Sequence, residues 1–104
     1  MNKFLIDIDG TICNNTYGEY EEAVPVQERI DFLNQLFDKG HEIIYWTARG
    51  ANTGKDWSNL TKKQLDDWGV KRHELRMNKP SYDFWIDDKA FNADHFFEIV
   101  NKIN

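Results

Sequence analysis

A chain of 104 residues, 40% hydrophobic and 14% aromatic, has the apolar surface for one small domain spanning 1–104 and no length for a second. Its formal charge of −5 provides no basic footprint for nucleic acid and no attraction to anionic membranes. The single cysteine, Cys13, excludes an internal disulfide; no run approaches the ~20 apolar residues of a membrane span, and the first residues enter an apolar stretch directly, so the expectation is a cytoplasmic chain without a leader.

Residues 4–8 form a short, almost continuous apolar run ended by Asp9-Gly10, the pattern of a buried parallel strand closed by a turn. Residues 13–24 are polar, contain Asn14-Asn15 and Gly18, and read as a loop or short hairpin. Pro25 is placed at the first position of a helix, where its missing N–H is not needed. Val26, Ile30, Leu33 and Phe37 then recur at helical spacing, Leu36 widens the stripe, and Gly40 stops it. A β-branched and aromatic strand is predicted over 42–47. A loop bracketed by Gly50 and Gly54 leads to a helix over 55–68, with Trp57, Leu60, Leu65 and Trp68 on one side and Gly69 after it. A short third strand is predicted over 74–78 and a fourth over 82–86, ending in Asp87-Asp88. The last helix is predicted over 92–102, with Phe96, Ile99 and Val100 inward.

Strands alternating with helices define an α/β fold: a three-layer sandwich with a central parallel sheet and helices on both faces. Ligands of such sheets bind at the carboxyl ends of the strands. Asp7 and Asp9, Thr47, and Asp87 with Asp88 all fall where a predicted strand finishes.

Asp7 and Asp9 project the same way if the first strand persists, and two carboxylates so close repel unless a proton or cation intervenes. A hard cation with oxygen ligands, such as Mg²⁺, relieves this. Gly10 lets the chain turn sharply and leaves backbone N–H groups accessible. By itself Asp-x-Asp-Gly is equally the solvated turn that ends a strand. A calcium loop is excluded by spacing, since its fifth, sixth and twelfth places hold Thr11, Ile12 and Gly18. Thr47 places a hydroxyl donor at the end of the second strand. Lys79, in Asn78-Lys79-Pro80, supplies an ammonium just before the fourth strand. Asp87 and Asp88 adjoin the apolar Trp85-Ile86, where acids need a partner.

The ordered set of acid pair, hydroxyl, lysine and acid pair resembles the haloacid dehalogenase superfamily of phosphohydrolases. Asp7-Ile8-Asp9-Gly10-Thr11 looks like its first motif, Thr47 its second, Lys79 its third and Asp87-Asp88 its fourth. The resemblance implies a Rossmann-like fold and a Mg²⁺-dependent phosphomonoester hydrolase. Asp7 is then the nucleophile, and Asp9 the acid that protonates the leaving group and later activates water. Thr47 and Lys79, with Gly10 and Ala48, hold the phosphoryl group. Asp87 binds the metal with Asp7 and the backbone carbonyl of Asp9, and Asp88 supports it. An acid at position 9 goes, in that superfamily, with hydrolysis of phosphate esters.

No inserted cap domain fits between these motifs, so the expected site is open, closed if at all by a second copy or by the 14–24 segment acting as a flap. Arg49 is weighed between a substrate contact and a surface ion pair. The capless form, with Asn78-Lys79-Pro80 and Ile86-Asp87-Asp88-Lys89-Ala90, resembles bacterial phosphatases of capsule and surface-polysaccharide synthesis, which implies a phosphorylated sugar or polysaccharide precursor as the small-molecule substrate. Two alternatives remain at this stage: a receiver-like domain that accepts a phosphoryl group for signalling, and a non-catalytic phosphate-binding module.

Overall fold

The apolar runs become three short parallel strands in a computed structural model that describes residues 1–103. Strands β1 (Lys3–Ile6), β2 (Glu42–Trp46) and β3 (Glu74–Arg76) pair in the order β1-β2-β3. Phe4 lies opposite Ile43, Ile6 opposite Tyr45, and Tyr45 opposite Leu75. Side chains alternate across a strand, so these residues share one face, while Leu5, Ile44 and Trp46 share the other.

Helix α1 (Gln27–Asp38) crosses from β1 to β2, and α2 (Ser58–Asp67) from β2 to β3. The sheet grows in one direction and such crossovers are right-handed, which puts both helices on the same face. There Ile30 and Leu33 of α1 and Leu65 of α2 meet Ile6, Ile43 and Tyr45. Phe97 of the last helix, α3 (Ala93–Ile103), joins the same cluster. Full burial of an aliphatic side chain such as Ile30 or Leu33 contributes roughly 1.5–3 kcal/mol. The fold class is the expected one: a small α/β domain around a parallel sheet, Rossmann-like, with only loops and one helix between successive strands and no cap among the described residues.

Several expectations are corrected in detail. Helix α1 starts at Gln27 and not at Pro25, which instead bridges Cys13. This bridge, with Val26 N–H donating to the Ile12 carbonyl at 2.8 Å, closes the 14–24 loop at its base. The loop carries a 3-10 turn, Tyr20–Glu22. The fourth strand over 82–86 does not form. Phe84 and Ile86 are 87% and 96% exposed. A strand needs a ladder partner as well as favourable residue types. Here local contacts hold the segment: Tyr82 and Trp85 pack at 4.9 Å between centroids, and Trp85 meets Trp46 edge-on across the far face of the sheet. That face therefore carries an aromatic segment where a helix was expected.

Candidate active site

Asp7 and Asp9 follow the end of β1 and alternate with Ile6 and Ile8, both buried. The core thus sets the acids' positions through their neighbours. The Thr11 and Ile12 N–H groups both donate to the Ile8 carbonyl at 3.0 Å, turning the chain sharply. Gly10 takes φ 82°, a conformation that side chains disfavour, and its N–H donates to the Cys13 carbonyl at 2.9 Å. That N–H is therefore engaged within the turn.

The Asp7 side chain is 40% exposed, and Lys79 Nζ stands 3.8 Å from its Oδ1. Burial pushes its carboxyl above the usual carboxylate range, while the Lys79 charge and hydrogen bonds from the Ile8 backbone and Thr11 pull it back. Lys79 is held from two sides. Its N–H donates to the Thr47 carbonyl at 3.0 Å, and its ammonium lies over the rings of Tyr82 and Trp85, 5.3 and 5.5 Å from their centroids. Thr47 is buried at the end of β2, where Oγ1 accepts the Arg49 N–H at 3.2 Å. A hydroxyl that accepts one hydrogen bond can still donate another. Ala48 follows, half-buried. The structure thus brings Asp7, Thr47 and Lys79 together from three separate stretches of chain.

Arg49 is neither at the surface nor directed to solvent. Its side chain is fully buried and grips Asp9 with two hydrogen bonds of 2.9 Å, Nε to Oδ2 and Nη2 to Oδ1. Nη1 donates to Thr61 Oγ1 at 3.1 Å and to Gln64 Oε1 at 2.6 Å, and the Tyr20 ring lies 4.7 Å from the guanidinium carbon. A buried charge is tolerated when paired and hydrogen-bonded in this way. Tyr20, expected on the 14–24 flap as a contact for the leaving group, instead covers Arg49, and Thr61 and Gln64 did not emerge from the sequence. The available signal was two polar residues at i, i+3 on α2 beside buried Leu65, which identifies a polar stripe without naming its partner. Cys13 Sγ lies 3.6 Å from Asp9 Oδ1. Burial, then the Asp9 charge, push its thiol up to about 12, so it stays protonated and is no nucleophile at neutral pH.

Asp87 and Asp88 are exposed, and Asp87 accepts the Lys89 N–H at 2.7 Å. The strand expected to carry them toward Asp7 is absent, and they do not join it. Magnesium demands several oxygen ligands in near-octahedral order. Asp7 offers one carboxylate, and the Asp9 carboxylate is committed to Arg49. Among the described residues no three Asp, Glu, His or Cys side chains gather to hold a metal ion. The residues as arranged do not make a magnesium site.

An open parallel α/β sheet with acids, a hydroxyl and a lysine at its carboxyl end is the class of site just described. No protein-family profile matches the chain, and no curated protein matches it. Among solved structures, a structural-genomics target from Vibrio cholerae is 26% identical, aligns over 100% of both chains and superposes with a TM-score of 0.75. The D,D-heptose 1,7-bisphosphate phosphatase of B. bronchiseptica, solved with magnesium and phosphate, is 13% identical with a TM-score of 0.57. It covers 99% of this chain and 64% of its own length, a likeness of fold.

Proposed function

We propose that the chain is a phosphomonoester hydrolase of the haloacid dehalogenase type, with Asp7 as nucleophile. The observation that carries this reading is the half-exposed Asp7 carboxylate with the Lys79 ammonium 3.8 Å away. Phosphoryl transfer needs positioning and charge stabilisation above all. Lys79 and the Thr47 hydroxyl draw the phosphoryl oxygens toward Asp7. An Asp7 oxygen attacks phosphorus, and the bond from phosphorus to the leaving oxygen breaks. Asp9 protonates that oxygen. Asp9 then takes a proton from water, the water oxygen attacks phosphorus, and the bond to Asp7 breaks to release inorganic phosphate. Although Arg49 occupies both Asp9 oxygens, each oxygen keeps a second lone pair for the proton.

The resemblance of the motifs makes Mg²⁺ the expected cofactor, and the heptose bisphosphate phosphatase of like fold was solved with it. The same two lines support a phosphorylated sugar or sugar-linked precursor as substrate. Without a cap the site admits a large substrate, or a second copy closes it. Assay of the purified chain with Mg²⁺ against sugar phosphates, nucleotides and phosphorylated amino alcohols tests the reading. Release of phosphate from at least one sugar phosphate is expected; no release from any member of the panel overturns it.

A further inference from the structure

We propose that Arg49 is the positioning residue that aims Asp9, and that Gln64 and Tyr20 tie the 14–24 loop to that aim; this rests on the phosphatase reading above. A one-point ion pair leaves a carboxylate free to rotate. The two-point pairing of Arg49 Nε and Nη2 with Oδ2 and Oδ1 fixes the plane of the Asp9 carboxylate as well as its place. The guanidinium is itself immobilised. Thr61 and Gln64 hold Nη1 from α2, and the Tyr20 ring covers the guanidinium. Gln64 continues the chain of contacts, because its Nε2 donates to the Tyr20 carbonyl at 2.6 Å. Tyr20 in turn packs edge-on against Trp57, immediately before α2, with centroids 5.0 Å apart. The loop, the start of α2 and the aspartate thus form one connected unit, in which a displaced loop moves the brace of Arg49.

This arrangement has a chemical signature. Protonation of the leaving oxygen matters most when that oxygen belongs to a weakly acidic alcohol, and least when it belongs to a nitrophenol, which departs without help. Loss of aim at Asp9 therefore penalises alkyl phosphates selectively, whereas general damage to the site slows both classes alike.

The test compares kcat for an alkyl phosphate (glycerol 3-phosphate, or the best sugar phosphate of the panel) with kcat for 4-nitrophenyl phosphate. Arg49→Met is expected to lower the first on the order of 10²-fold and the second less than ~10-fold, as for removal of a general acid. Arg49 is buried, so folding is checked by circular dichroism and thermal unfolding. If Arg49→Met does not fold, Gln64→Leu, which keeps the Asp9–Arg49 pair and removes its brace, is expected to shift the ratio several-fold in the same direction. An unchanged ratio in the folded variant overturns the positioning role of Arg49. A wild-type chain inert toward both substrates overturns the phosphatase reading instead.

Discussion

Lys79 donates its backbone N–H to the Thr47 carbonyl at 3.0 Å while its ammonium stands 3.8 Å from Asp7. One residue thus links the end of β2 to the acid after β1, so that substitutions at either end of the link separate binding from chemistry.

Asp7→Asn is expected to abolish turnover and to leave the unfolding temperature unchanged or higher. The carboxyl is pushed above its ordinary range, so its ionised form is disfavoured by folding. Stability from this group is gained as pH falls through its folded pKa and is missing at neutral pH, where a neutral Asn avoids the penalty. Thermal melts at pH 7 alongside a turnover assay check both halves; retained activity removes Asp7 as nucleophile.

Lys79→Met keeps the aliphatic stem over Tyr82 and Trp85 and deletes the charge. Activity is expected to fall at least ~10-fold, by analogy with loss of one charged transition-state contact. Steady-state kinetics read the effect, which should appear in kcat as well as KM because charge builds up on the transferring phosphoryl group.

Asp87→Asn is expected to leave the melting temperature unaltered, because the side chain is exposed and its main protein contact is the adjacent Lys89 N–H. Because Asp87 stands apart from Asp7, the Mg²⁺ concentration needed for half-maximal activity is expected to stay unchanged as well. A titration of rate against Mg²⁺ checks this: a curve shifted to higher Mg²⁺ returns Asp87 to the metal set.

Gly50 adopts φ 80°, and a Cβ there would run into the Lys55 carbonyl oxygen. Gly50→Ala is therefore expected to destabilise the fold by more than the ~1–3 kcal/mol of backbone strain alone. Denaturant unfolding gives the value. Because Gly50 adjoins Arg49, the alkyl-phosphate rate should fall with it.

Alkaline pH acts on Cys13. In the unfolded chain its thiol ionises near 9.0, while burial keeps it protonated in the fold up to about 12. The folded state then binds the extra proton, so stability falls as pH rises between those values. Cys13→Ala should flatten this part of the stability–pH curve measured by urea denaturation. In the native protein at pH 8 the thiol should resist iodoacetamide until the chain unfolds.

Local pattern alone determined much of this molecule. Helical spacing along Ile30, Leu33 and Phe37, and the β-branched run before Thr47, specified α1, β2 and the end of the sheet where Asp7 and Thr47 lie, because a hydrophobic period encodes which side of an element faces the core. Three matters were left to the tertiary structure. Residues 82–86 have the composition of a strand, but composition supplies no ladder partner, and Asp87 and Asp88 remain exposed beyond them. Thr61 and Gln64 look like ordinary polar helix residues until the chain brings Arg49 between them. Arg49 and Asp9 lie 40 positions apart, and no periodicity relates them. Their pairing follows from burial: a guanidinium enclosed by the fold requires a carboxylate and acceptors within reach, and only the packed chain decides which ones those are.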